Sequence, residues 1–383
     1  MDIDDRWYKG RGDNRERTAD HDKGKRWKAR WRDEKGRQRS QSFAKRSEAE
    51  LFIASLKRDL ARGTYIDPKA GKVKFKEHAE SWRARQLHAA STQQKVASSL
   101  TNHVYPHFGN MPIANISSAR IQEWVHSLAQ HLAVETTRVI YSHVSSIFNE
   151  AVRDKLLERS PCMDIKLPKK QAKNKIPLNY DDVQKIANAV PRNLEALVLV
   201  GSQTGLRPGE LLGLTRSRIN LETRNLIVDR QMLTISGKPP HLVPPKTASS
   251  NRTIPLGDES IAALRAHLRN FPVDENDPNA LIFVQESGLP WRRNTFNHRW
   301  RKACRSTGIS DDVVPHDLRH FYASLLIRSG VSVKTVQELL GHATATETLN
   351  TYSHLWPDAA DQARAAVNSV FGSANSPVRL HIA

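Results

Sequence analysis

Pro315-His316-Asp317-Leu318-Arg319-His320 opens a stretch that continues through Ala323, Leu325, Leu326 and Ile327. It then runs into Ser332-Val333-Lys334-Thr335-Val336-Gln337-Glu338-Leu339-Leu340-Gly341-His342 and on to Tyr352. The apolar positions after Arg319 predict a helix, and His316 and Arg319, three apart, share one of its faces. Ser332 suits the N-cap of a second, short helix and Gly341 the left-handed residue that stops it. His342 is therefore expected to project from a rigid corner. Thr344 with Glu347 reads as a capping box for a third helix, which carries Thr348 and Tyr352.

Working upstream, Thr204-Gly205-Leu206-Arg207-Pro208-Gly209-Glu210-Leu211 predicts a helix entrance. Pro208 and Glu210 suit a first turn, and Arg207 stands where backbone N–H groups and a guanidinium can hold a phosphate together. Pro245-Lys246-Thr247, followed by Asn251-Arg252-Thr253-Ile254-Pro255-Leu256, reads as a hairpin region. Together these residues resemble the tyrosine recombinase family, and within it the phage-type integrases. The likeness rests on His316-x-x-Arg319, Leu340-Gly341-His342, Tyr352, Arg207 in a T-G-x-R-x-x-E-L pattern and Lys246 on the hairpin, and it spans residues 72 to 366.

The resemblance implies a catalytic set of Arg207, Lys246, His316, Arg319, His342 and Tyr352 in a site-specific DNA recombinase, an integrase. Tyr352 would attack a phosphodiester and keep the bond as a covalent 3′-phosphotyrosine, so rejoining needs no ATP. Cleavage builds charge on the nonbridging oxygens, which two arginines match better than lysines; Arg207 and Arg319 are expected to form that clamp. His316 would assist loss of the tyrosine proton or bind the phosphate, His342 would donate to a nonbridging oxygen, and Lys246 is the general acid expected for the 5′-oxygen. Glu210 is expected to orient Arg207 or its neighbours. With arginines supplying the electrostatics, neither a metal nor another cofactor is expected. Two other readings share these residues: a type IB-like topoisomerase, and a non-catalytic DNA-binding regulator.

The rest of the chain agrees with a polyanionic partner. In 383 residues, 59 Lys and Arg against 40 Asp and Glu leave a formal charge of +19. Hydrophobic content of 38% is enough for real cores. The longest apolar stretch, around Leu194 to Val200, is far short of the roughly 20 residues a membrane span needs, so no membrane partner is expected. Met1-Asp2-Ile3-Asp4-Asp5 is acidic and no secretory signal. Cys162 and Cys304 read as reduced thiols of a cytosolic protein, and the resemblance implies the cytoplasm of a bacterial host, at its nucleoid.

The fold class expected is a multidomain α+β protein. Residues 1–66 form a small β-sheet plus helix N-domain, a three-stranded sheet. In it Trp27, Ala29 and Trp31 alternate with Lys28, Arg30 and Arg32. A turn at Asp33 to Gly36 leads to a return strand from Arg37 to Phe43, and a helix starts at Ser47 with Glu50 as its capping box, running through Leu51, Ile53, Leu56 and Leu60. Lys28, Arg30, Arg32, Arg37 and Arg39 are the residues expected on DNA, since a two-stranded ribbon fits the major groove. This segment resembles the arm-type DNA-binding domain of some integrases.

A linker from Asp67 to Lys72 precedes an all-α core-binding domain, residues 72–168. Its helices are expected to carry Phe75, Ala79 and Trp82, then Ile121, Trp124, Val125 and Leu128, then Val139, Val144, Ile147, Phe148 and Val152. A basic linker from Leu167 to Lys175 leads to a mixed, mainly-α catalytic domain, residues 176–366. Its short antiparallel sheet is expected at Leu226 to Val228, His241 to Val243 and Thr253 to Leu256, and a tail occupies 367–383. The resemblance further implies double-stranded DNA attachment sites, core and arm, as partners. It implies self-association to a tetramer that exchanges strands through a Holliday junction, a host DNA-bending protein and a directionality factor.

Overall fold

The computed structural model describes residues 1–10, 15–32, 36–67, 70–170 and 178–353, with residues 364, 367 and 368 beyond them. The chain divides into two compact units, Met1–Ala172 and Lys173–Ala383.

The first unit begins with β1 (Asp2–Asp5), β2 (Tyr8–Lys9), β3 (Glu16–Arg17), β4 (Trp27–Arg32) and β5 (Gln38–Phe43). β1, β4 and β5 make a three-stranded antiparallel sheet in that order, and β2 pairs with β3. The alternation in β4 buries Ala29 and Trp31 with Ile53 and Leu56 of α1 (Arg46–Ala61) and with Tyr65. α1 starts earlier than expected. Lys45 is its N-cap and Glu48 closes the capping box, while Glu50 ion-pairs with Arg46 at 2.8 Å, so Ser47 lies inside the first turn. Leu51 is 73% exposed and belongs to the outer side of α1. Of the expected hairpin turn, Asp33 to Lys35 lie outside the described residues.

The helical part of this unit has its own core. It comprises α2 (Phe75–Arg85), α3 (Ala90–Ser99), a π-helical turn at Leu100–Val104, α4 (Tyr105–Phe108), α5 (Ser118–His131) and α6 (Val134–Arg153). α6 buries Ile140, Val144, Ile147, Phe148 and Ala151, the spacing of one helical face, whereas Val139 is off that face and exposed. The run from α3 to α4 was not singled out from sequence, although Val96, Leu100, Val104 and Phe108, each four apart, form one buried stripe along it. Ala70–Lys72 is a 3-10 turn with Gly71 against Ala114, so the end of the expected first linker belongs to this core. Pro68 and Lys69, and residues 171–175 of the second linker, lie outside the described residues.

The second unit comprises, in order, α7 (Tyr180–Ala189), α8 (Arg192–Thr204), α9 (Pro208–Leu212), β6 (Ile219–Asn220), β7 (Asn225–Val228), β8 (Gln231–Leu233), β9 (His241–Val243) and β10 (Arg252–Pro255). It continues with α10 (Asp258–Asn270), α11 (Arg293–Ser306), α12 (Asp317–Arg328), α13 (Val333–Leu340) and α14 (Ala345–Tyr352). α8 is apolar nearly all round, which requires burial; α7, α10 and α12 pack on it. The strands form two sheets rather than one. β6, β7 and β10 make one, and β9 pairs with β8, so His241 to Val243 does not join the strands expected beside it. Of the expected tail, 369–383 lie outside the described residues.

Gly205 ends α8 with φ +61°, and a Cβ there would stand 2.4 Å from Tyr322 Cδ1. Gly308, φ +72°, has open space around the same position. Left-handed backbone alone costs a residue with a Cβ about 1–2 kcal/mol, and overpacking adds about 1–3 kcal/mol. Gly205→Ala is therefore expected to destabilise the protein by roughly 2–5 kcal/mol, and Gly308→Ala by only the first of these contributions, both read by denaturant unfolding. Equal losses in the two variants would refute the packing role given to Gly205.

Candidate active site

The Gly205 turn delivers Arg207 to the N-cap of α9, where its backbone is extended and Pro208 occupies the first turn. Its N–H donates to Glu210 Oε2 at 2.9 Å and its Nη1 to Oε1 at 3.0 Å. Nη2 donates to the Gly341 carbonyl at 2.9 Å, and Nη1 also reaches Ser250 Oγ at 3.3 Å. The guanidinium is thus tied to Glu210, three residues on, and to two distant pieces of chain at Ser250 and Gly341.

Glu210 is 3% exposed and carries a second arginine. Arg252 donates from Nη2 to Oε2 at 2.8 Å, from Nε to the Leu339 carbonyl at 2.8 Å and from Nη1 to the Ser250 carbonyl at 2.9 Å. Burial alone would raise the carboxyl pKa, but the hydrogen bonds and charge of Arg252, then of Arg207, hold it below the ordinary value. The geometry matches the orienting task expected of Glu210. Arg252 was not singled out from sequence. Its signal was present, as an arginine two residues before the buried Ile254 on one strand face.

Arg319 lies on α12 and is 1% exposed. Nη1 donates to the Gly205 carbonyl at 2.9 Å, and Nη2 is buried with no hydrogen-bond partner. Burial first, then Arg207 and Arg252, press its pKa down to about 9, which still leaves it charged at neutral pH. His316 caps the same helix. Burial, His320 and Arg319 pull it down to about 4, so it is neutral.

Ser332 caps α13 by accepting from Thr335 N–H, and Gly341 stops it at φ +65°. His342 follows, 6% exposed, with Nδ1 2.8 Å from Thr348 Oγ1 of α14. Burial, Arg319 and Arg207 press His342 to about 3. Thr344 caps α14 through Glu347 N–H. Tyr352, at the end of α14, is 3% exposed, and its hydroxyl lies 2.7 Å from His320 Nδ1. Burial lifts the phenol to about 12 against the opposing charge of Arg319.

The structure thus gathers Arg207, His316, Arg319, His342 and Tyr352 into one electrostatically coupled cluster. Lys246 is exposed and its ammonium touches none of them. Its neighbour Thr247 reaches Ser250 Oγ at 2.9 Å, so the segment is anchored beside Arg207 while the lysine head stays free among the described residues. His320 was not named from sequence as a site residue. It ends the stretch that opened the reading, four positions after His316, a spacing that puts both rings on one helical face.

On the N-terminal sheet the register separates the expected DNA-contacting residues. Arg39 stands opposite Trp31, hence on the helix-covered face, and ion-pairs with Asp67. Lys28, Arg30 and Arg32 share the other face with Ser42, Ser40 and Gln38. Asp2 and Asp4 of β1 lie on that face too, and Asp4 ion-pairs with Arg30 at 2.7 Å. Arg37 precedes β5 and is exposed. The expected all-cationic face is therefore partly neutralised by the acidic first strand, and Arg39 is not on it.

Comparison with known proteins bears directly on this arrangement. Residues 177–358 match the Phage integrase family and residues 75–167 the Phage integrase central domain. A tyrosine recombinase XerC-like protein of Caldanaerobacter subterraneus subsp. tengcongensis is 31% identical over 287 residues, 68% of this chain and 73% of that protein. The integrase of Mycobacterium phage D29 is 25% identical over 313 residues, 79% of this chain and 82% of its own length. Among solved structures, the Tn1549 transposon integrase in complex with transposon right end DNA superposes with a TM-score of 0.64 at 23% identity, over 78% of this chain and 99% of that one. A lambda integrase tetramer bound to a Holliday junction gives 0.58 at 18%, over 86% and 92%. The structural likeness carries the multidomain α+β fold and the sequence likeness carries the lineage: the chain belongs to the phage integrase family of tyrosine recombinases, and it is a site-specific recombinase.

Proposed function

We propose that the cluster around Arg319 cleaves and rejoins duplex DNA through a covalent 3′-phosphotyrosine on Tyr352. The observation that carries this reading is the buried, unpartnered Nη2 of Arg319. An unsatisfied buried donor on a charged group costs more than about 1–3 kcal/mol, and a phosphate oxygen is the partner that repays it. Arg207, with one side of its guanidinium fixed by Glu210, supplies the second cationic contact. Neutral His342 has Nδ1 on Thr348, so its Nε2–H serves as a donor to a nonbridging oxygen, and neutral His316 stands beside it. Lys246, exposed on a segment anchored beside Arg207, is the general acid for the 5′-oxygen in this reading.

By this reading the segments of the chain divide the work. Residues 72–168 grip the core site, residues 176–366 cut it, and residues 1–66 hold arm DNA through Lys28, Arg30 and Arg32, with Arg37 at the ribbon end. The partners are core and arm attachment sites, three further copies of the chain in a tetramer on a Holliday junction, a host DNA-bending protein and a directionality factor. By the same reading the protein works on DNA in the bacterial cytoplasm, at the nucleoid.

A nicked suicide duplex, selected from a random-sequence pool by covalent capture with the unaltered chain, tests the chemistry. Tyr352→Phe is expected to form no covalent complex while binding the duplex as before, and Arg319→Ala to slow its formation by on the order of 10²–10³. Covalent capture by the Phe variant at the normal rate would remove Tyr352 as nucleophile. Lys246→Ala is expected to cleave ordinary DNA slowly but to recover on a substrate whose bridging 5′-oxygen is sulfur, which leaves without a proton. No such recovery would exclude Lys246 as the acid.

The histidines set a pH dependence of stability. His316 and His342 bind a proton less readily when folded, at about 4 and about 3, than their ordinary 6.5. The unfolded chain therefore takes up more protons between those values, and stability falls as pH drops below about 6.5. Each histidine contributes up to about 1.4 kcal/mol per pH unit in that window. The melting temperature is expected to fall from pH 7 to pH 5 and to fall less in the His316→Gln, His342→Gln double variant. Identical slopes would show that these rings do not carry the effect.

A further inference from the structure

The residue that touches the nucleophile is His320. Its Nδ1 lies 2.7 Å from Tyr352 Oη, and the two rings meet edge to face with centroids 5.5 Å apart. The hydroxyl is buried and has no other hydrogen-bond partner among the described residues. With the phenol held at about 12, it carries its proton at neutral pH. A buried O–H must donate, and the available acceptor is Nδ1. The tautomer follows: the imidazole lone pair on Nδ1 faces the tyrosine, and the ring proton sits on Nε2.

His316, to which sequence reasoning gave the proton, has no hydrogen bond or ring contact to Tyr352 among the described residues. It stands one turn back, its ring centroid 5.0 Å from that of His320. A general base must lie within about 2.6–3.2 Å of the proton it takes, and His320 meets that condition. The charged and titratable groups around the pair are Asp317 and Arg319 on α12, His316 at its start, Glu347 on α14 and Arg207 before α9.

Resting on the strand-cleavage chemistry proposed above, we propose that His320 is the general base that takes the Tyr352 proton during cleavage and returns it during rejoining. As Oη bonds to phosphorus, its proton passes to Nδ1. The P–O5′ bond breaks with its electron pair on the 5′-oxygen, which takes a proton from Lys246. On rejoining, the 5′-hydroxyl attacks phosphorus and gives its proton back to the lysine amine, while the departing phenolate recovers its proton from His320. No proton or electron pair is left over, and each bond made has its bond broken.

The test uses the full chain and the same suicide duplex. His320→Ala is expected to slow covalent complex formation at pH 7 by on the order of 10²-fold or more, without loss of DNA binding. Added imidazole restores part of the rate, and so does raising the pH toward the range where the phenol ionises. His320→Asn, which keeps a hydrogen-bonding group near the Nδ1 position but takes no proton, stays slow. Should the Ala variant lose DNA binding, the Asn variant carries the same comparison. Several results overturn the inference: an Ala variant as fast as the unaltered chain or faster, an Asn variant at full rate, or a slow variant that neither imidazole nor high pH restores. Tyr352→Phe run alongside separates the two ideas. Covalent complex from the Phe variant defeats the nucleophile itself, whereas none from it and a normal rate from His320→Ala defeats only the base.

Discussion

The carboxylate of Glu210 holds the guanidinium groups of Arg207 and Arg252, and through them α9, β10 and the C-terminal end of α13. A carboxylate this deeply buried persists as an anion only because both arginines face it. Removing it would leave two guanidinium groups unbalanced in a low-dielectric interior, a change that typically costs about 3–5 kcal/mol. The same three-residue unit places the Gly341 turn, and so His342, at a defined distance from Arg207. The contacts that hold the unit together thus also fix the orientation of Arg207 and of the turn that carries His342.

Around that unit the electrostatics are unusually one-sided. Burial first, then Arg319 and Arg207, hold both histidines in the neutral form, with His320 adding to the effect at His316 and Arg252 at His342. The fixed positive charge is therefore carried by arginines, and the histidines act as hydrogen-bonding groups whose orientation is set by Thr348 and by the helix caps. Such preorganised donors are worth most against charge that develops during reaction, because nothing has to reorient when it appears. Tyr352 sits at the edge of this field, on an α14 whose cap at Thr344 and buried Thr348 face fix the angle from which the hydroxyl enters.

The N-terminal sheet works by a different rule. Its pleat sends alternate residues to opposite faces, so register decides which cations meet a ligand. Pairing β1 beside β4 brings Asp2 and Asp4 next to Lys28 and Arg30. The acidic strand lowers the charge density of that face, and Arg32 and Lys28 are left as its less encumbered cations. Gln38, Ser40 and Ser42 stand opposite Arg32, Arg30 and Lys28 as neutral hydrogen-bonding groups on the same face.

The order of residues by itself determined the lineage, and it singled out Arg207, Arg319 and Tyr352, which the fold brings into one cluster. His316-x-x-Arg319, Gly341-His342 and Tyr352 lie on consecutive helices whose caps are local, so their spacing already encodes their geometry. It also determined the helical faces of α5 and of most of α6, where apolar periodicity is strong. It passed over the α3 to α4 run, whose buried stripe of Val96, Leu100, Val104 and Phe108 is spread across three short helical pieces, and it joined His241 to Val243 to the wrong sheet because it missed β8, the neighbouring strand with which β9 pairs. Only the tertiary structure decided that Arg39 lies on the covered face, that Arg252 shares Glu210 with Arg207, and that His320 rather than His316 meets the tyrosine. Each of these depends on elements far apart in the chain packing around α8 or across a sheet. Pairing of that kind is settled by which buried polar groups find partners once the core has closed, and no local pattern records it.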